Sequence, residues 1–177
     1  FFMKRFFSAF LAALMIVMMI VPVNVGAADN ASFSITASKD SVNIGEEVTF
    51  TVHFSGAEGV SVLSIAPIYD KTVFELVSGN FVTITGDFDG TLGVFMSMSP
   101  MNLANADIFQ FTLKAKAAAS AKTVACSYTL QNINASWVTS DIPFTATDAT
   151  VSVVCNHTFG AWEKHNAEQH KQTCSAC

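Results

Sequence analysis

The chain has 177 residues, 51% of them hydrophobic, and a formal net charge of −5. Its nine basic residues form no stripe of the kind a phosphate backbone requires, so composition excludes nucleic acid as a partner. Sixteen phenylalanines point instead to a packed apolar interior, because each buried ring removes a large area from water.

At the N-terminus, Lys4 and Arg5 precede an apolar run from Phe6 to Val23, and the small residues Gly26, Ala27 and Ala28 follow. That order of basic, apolar and small-residue regions predicts a signal-peptide helix over residues 1–28, cleaved after Ala27 or Ala28. The alternative is an uncleaved segment, since the run approaches the ~20 residues that span a bilayer, and it is the chain's one expected membrane contact. Phe1 and Phe2 stand before the start expected at Met3 and carry no structural weight. Loss of Lys4 and Arg5 leaves seven lysines, no arginine and fourteen acids, a net charge of −7 on the exported part. Residues 29–154 are enough for one domain burying roughly two thirds of its unfolded surface.

Within that region the alternation of apolar and polar residues predicts about nine short strands. They are Phe33 to Ala37, Val48 to Phe54, Val60 to Ile68, Thr72 to Leu76, Phe81 to Thr85, Thr91 to Ser97, Ile108 to Ala115, Thr123 to Gln131 and Thr145 to Val154. From Val48 to Phe54 every second residue is large and apolar, with Thr49, Thr51 and His53 between. In the same way Phe109, Phe111, Leu113 and Ala115 share one face, as do Val124, Cys126, Tyr128 and Leu130. Met101 to Ala106 is the one stretch with room for a helical turn. Strands at this spacing, rich in Val, Thr and Phe, predict an all-β, two-layer antiparallel β-sandwich of jelly-roll type.

Several residues invite a chemical reading and a plainer one. Asp87-Phe88-Asp89-Gly90 has the opening of a calcium loop, but no downstream ligands follow, and Asp89-Gly90 is a hairpin turn in its own right. His53 falls on the polar side of its strand with no Gly-x-Ser-x-Gly elbow in the chain, so it is read as solvent-facing. Cys126 is read as a core thiol. No catalytic residue and no cofactor for the sandwich are expected, and enzyme activity is not predicted. Trp137, with Asn132 and Asn134 nearby, is the one candidate sugar platform; a lone tryptophan after a strand is more commonly half-buried packing.

From Cys155 the composition changes. Cys155-x-His157 is followed by Cys174-x-x-Cys177, two close ligand pairs with the layout of a tetrahedral zinc site. A disulfide is the competing reading in an exported protein, free thiols a third, and the spacing leaves all three open. His165 and His170 are read as solvated. Residues 155–177 therefore form a separate short Cys/His tail.

The opening Val42-Asn43-Ile44-Gly45-Glu46, the alternating strand after it, and Tyr69-Asp70-Lys71-Thr72-Val73-Phe74-Glu75-Leu76 together resemble the start of a cohesin domain. Phe111-Thr112-Leu113-Lys114-Ala115-Lys116 is similar to the Phe-x-Val-Lys-Ala run that closes a cohesin strand. The resemblance covers roughly residues 33–154. It implies a secreted or cell-surface, non-catalytic module that binds a dockerin-type module or other surface protein in scaffold assembly or surface attachment during polysaccharide degradation. The same sandwich architecture serves carbohydrate-binding modules, which makes a polysaccharide the alternative partner. Positions that contact the dockerin in type I cohesins, seven and five residues before the tyrosine, fall on Val62 and Ser64. Val62 departs from the pattern, since it lacks the hydrogen bonds an asparagine would supply. The tail resembles Cys-x-His-x-Phe/Tyr-x-x-Trp … Cys-x-x-Cys repeats at the ends of large surface proteins of anaerobic Firmicutes, which implies further sequence beyond Cys177.

Overall fold

A computed structural model describes residues 31–155, 160–166 and 169–171. The signal segment expected over residues 1–28 lies outside the described residues. Fourteen strands follow in chain order: β1 (Ala31–Ala37), β2 (Ser41–Asn43), β3 (Glu47–Ser55), β4 (Ala57–Ile68), β5 (Phe74–Phe81), β6 (Asp87–Phe88), β7 (Gly93–Leu103), β8 (Ala106–Ala115), β9 (Ala119–Ile133), β10 (Thr139–Asp141), β11 (Phe144–Thr147), β12 (Ala149–Val154), β13 (Glu163–Lys164) and β14 (His170–Lys171). The first twelve build two facing sheets. One has the order β11-β1-β3-β8-β5; the other runs β2-β12-β9-β4-β7-β6, with β10 also paired to β9. The last two form a separate hairpin in the tail. The described residues are all-β, as the alternating pattern predicts.

The interior follows the pleat. Val48, Phe50, Val52 and Phe54 of β3 are buried while the residues between them are not, and Phe109, Phe111, Leu113 and Ala115 of β8 repeat the pattern. Phe50 stacks on Phe111 within one sheet, with ring centroids 5.2 Å apart. Across the two layers Phe33 of β1 stacks on Tyr128 of β9 at 4.0 Å, and Phe109 of β8 meets Phe88 of β6 edge-on at 5.4 Å. Such pairs add about 0.5–1.5 kcal/mol each to the stabilisation from burial. Gly79 of β5 lets Phe88 approach, since a Cβ there would come within 2.6 Å of the ring.

Four expectations are corrected. Residues 81–85 do not form a strand of their own; β5 runs through Ser78-Gly79-Asn80 and ends at Phe81, absorbing an extra residue as a bulge at Val77. The stretch from Thr145 to Val154 is two strands, because the chain leaves the first sheet after Thr147 and enters the second at Ala149. Residues 101–106 form no helical turn: β7 extends to Leu103 and β8 begins at Ala106. The sandwich has twelve strands where about nine were expected, since β2, β6 and β10 are only two or three residues long.

Cys126 is a core residue, and burial pushes its thiol up to about 12. Burial raises the Tyr128 phenol beside it too. Ser61 Oγ is buried and has no hydrogen-bond partner among the described residues. A buried hydroxyl without a partner costs free energy that an apolar side chain would not. Ser61→Ala is therefore expected to leave stability unchanged or raise it by up to about 1 kcal/mol, read from the urea midpoint at constant slope.

Candidate binding face

Because β10, β9, β4, β7 and β6 pair side by side, residues opposite one another form rows on the outer surface of the second sheet. One row reads Asp141, Gln131, Val62, Met96. The next reads Thr129, Ser64, Val94, Asp87. Along β4 the same surface continues through Ala66 and ends at Ile68, which is exposed. Val62 and Ser64, singled out from sequence, are thus next-but-one neighbours at the centre of this face. Around them stand side chains that the sequence did not single out: Val94 and Met96 from β7, Thr129 and Gln131 from β9. The centre carries no charge. Asp87 and Asp141 lie at opposite edges, and the Gln131 amide donates to Asp141 Oδ1 at 2.8 Å.

Trp137, Asn132 and Asn134 fall at one end of this sheet, around the turn joining β9 to β10. Trp137 is 69% exposed, which corrects the half-buried packing expected for it. Its backbone adopts φ 60°, left-handed and rarely taken by a bulky side chain. Asn134 holds the turn: its Oδ1 accepts the backbone N–H groups of Ser136 and Val138, and its carbonyl accepts that of Trp137. The Asn132 amide donates to the carbonyl of Gly59, where the chain takes φ 71° and an added Cβ would lie 2.7 Å from Asn132 Nδ2. Both asparagines are engaged in building the turn and its seat beside β4.

The opposite outer face, on the first sheet, is polar. Thr49 and Thr112 share a hydrogen bond, the Gln110 amide donates to Thr51, and His53 Nδ1 lies 2.9 Å from Asp107 Oδ1. A bulge in β8 makes the last contact: Ile108 and Phe109 are both buried, so Asp107 comes out opposite His53. His53 is solvent-facing, as read from its strand.

Asp70 follows Tyr69 at the end of β4 and closes a turn. Hydrogen bonds from the Thr72 hydroxyl, from Lys122 at 2.9 Å and from the Thr72 backbone hold its carboxyl well below the ordinary range. Asp89 caps the β6–β7 turn by accepting from the backbone of Leu92 and Thr91, which lowers its carboxyl, and Gly90 takes φ 93°. Both acids are therefore turn-builders in the structure. In the tail, Cys155 is disulfide-bonded. His157, Cys174 and Cys177, the rest of the zinc set expected there, lie outside the described residues. Among the described residues no cluster of three His, Cys, Asp or Glu side chains could hold a metal ion.

The two-layer sandwich is a fold shared with solved cohesin modules. The chain is similar to the seventh ScaB type I cohesin of Pseudobacteroides cellulosolvens, with a TM-score of 0.56 at 16% identity over 77% of this chain and 98% of that one. The sixth cohesin of Acetivibrio cellulolyticus scaffoldin B, solved in complex with a Cel5 dockerin, gives 0.52 at 20% identity over 71% and 99%. A non-cellulosomal cohesin from the archaeon Archaeoglobus fulgidus gives 0.54 at 11% over 71% and 91%. At these identities the likeness is one of fold. No family model and no curated protein matches the sequence.

Proposed function

We propose that this chain is a non-catalytic, exported binding module whose β10-β9-β4-β7-β6 face receives a dockerin-type protein partner, for assembly or cell-surface attachment in polysaccharide degradation. The observation that carries this reading is the face itself: Val62, Ser64, Val94 and Met96 form an uncharged centre on paired strands, where a rigid apolar surface can meet a partner with little loss of its own freedom. The cohesin folds support it, one of them solved with a dockerin in place. The disulfide at Cys155 fits an oxidising exterior.

Trp137 favours a second reading, a polysaccharide site, because its ring is presented to solvent. Against it, the amide groups nearest that ring are spent on Gly59 and on the turn. The two readings separate when the full chain is immobilised and titrated with a panel of dockerin modules and a panel of plant and bacterial polysaccharides. A dockerin should be retained equally by the wild type and by Trp137→Ala. Polysaccharide retention abolished by Trp137→Ala, with no dockerin bound, would overturn the assignment.

A further inference from the structure

Every methionine after residue 28 falls in the single stretch Met96-Ser97-Met98-Ser99-Pro100-Met101, and none of the three enters the core. They are 68%, 81% and 41% exposed. Methionine is normally a core residue, so three exposed thioethers within six residues ask for an explanation other than packing.

The register between β4 and β7 gathers them. Met96 pairs with Val62 and Met101 with Val60, so five steps along β7 face only two along β4. The intervening residues 97–100 arch out of the ladder. Two steps along a strand span about 6.6 Å, which places the backbones of Met96 and Met101 at that separation, with Met98 on the arch between them. Val60, opposite Met101, is fully buried and belongs to the core cluster. The arch is tightened by Ser97, whose hydroxyl donates to the Ser99 carbonyl at 2.6 Å and accepts the Ser99 N–H at 3.3 Å. Thioether sulfurs at the ends of long, unbranched side chains can converge over such a spacing.

We propose that Met96, Met98 and Met101 form a thioether site for a soft monovalent cation, Cu(I) or Ag(I). Neutral sulfur donors select soft ions, whereas calcium and magnesium require oxygen ligands. Competing soft donors are absent from the described surface, because Cys126 is buried and Cys155 is disulfide-bonded. Met96 belongs both to this cluster and to the edge of the binding face, but ion retention is read without any protein partner, so it can fail or succeed separately from the binding reading.

The test uses the full chain with its free thiols blocked by N-ethylmaleimide, so that cysteines elsewhere contribute equally to every variant. Cu(I) is supplied anaerobically in competition with bicinchoninate, and Ag(I) serves as a redox-inert counterpart. One equivalent should be retained by the wild type. Met96→Leu and Met98→Leu should each weaken retention about tenfold, and the triple leucine variant should lose it, with the far-ultraviolet spectrum unchanged. In parallel, the ε-methyl NMR signals of the three methionines should shift together on addition of Ag(I). Equal retention by wild type and triple variant, or methyl signals that stay in place, would overturn the site.

Discussion

Replacing Phe109 with alanine should lower the unfolding free energy by about 3–5 kcal/mol, the range for truncating a fully buried aromatic ring. The ring is 0% exposed. It contacts Phe81 of β5 at 5.2 Å and Phe88 of β6 at 5.4 Å, and it lies 3.2 Å from where a Cβ on Gly93 of β7 would stand. It therefore joins three strands besides its own and ties the two sheets at the end where β6 is only two residues long. Its loss removes the transfer free energy of the ring and leaves a cavity that Gly79 and Gly93, having no side chains, do nothing to fill. Against a typical total of 5–15 kcal/mol this is a large fraction, and it should appear as a lower urea midpoint with little change in slope. Phe109→Leu should recover more than half of the loss. A cost below about 1 kcal/mol for the alanine variant would mean that this end of the sandwich is not packed as described.

The strands that the sequence showed plainly are those with one buried face and several periods to display it. β3, β8 and β9 each carry four or more alternations, and each lies where the pattern put it. β2, β6 and β10 are too short to show any period, so only tertiary pairing defines them. The break at Asp148 is subtler. Phe144 and Ala146 carry one parity and Ala149, Val151 and Val153 the other, so a phase slip of one residue marks where the chain changes sheets. A slip of that kind reads as noise within a run of alternating small and β-branched residues. Met101 to Ala106 shows the opposite case: a few local residues compatible with a helical turn are overridden by pairing with β4 and β3.

For the candidate face, sequence supplied two positions and the fold supplied the rest. Val62 and Ser64 are spaced by two on one strand, so their shared face was readable. That Met96 and Gln131 flank Val62, and Val94 and Thr129 flank Ser64, depends on the registers of β7 and β9 against β4. Those registers include bulges that no local pattern announces. The clustering of Met96, Met98 and Met101 is the one sequence signal near this face, and only the structure shows that they are exposed. Trp137 went the other way because its exposure depends on Asn134 fixing a left-handed turn.

Val62→Asp should sharply weaken partner binding while leaving the sandwich folded. Val62 is half-buried at the centre of the face, flanked by Met96 and Gln131, so a carboxylate there would sit under any partner that covers the row. No lysine or arginine of this chain lies in its row or the next to compensate it, and Asp87 and Asp141 at the edges would add to the repulsion of an acidic partner. Covering an unpaired charge costs several kcal/mol, and a loss of about 2–5 kcal/mol weakens a complex by roughly 30-fold to several thousandfold. The cost to folding should stay within about 1 kcal/mol, because the new side chain points outward on a strand already paired on both sides. Thr36→Lys, on the opposite outer face, should change neither binding nor stability appreciably. Measured side by side by calorimetry with a dockerin that the wild type binds, the two variants isolate the face. Undiminished binding by Val62→Asp together with a loss in Thr36→Lys would move the interface to the hydroxyl-rich sheet.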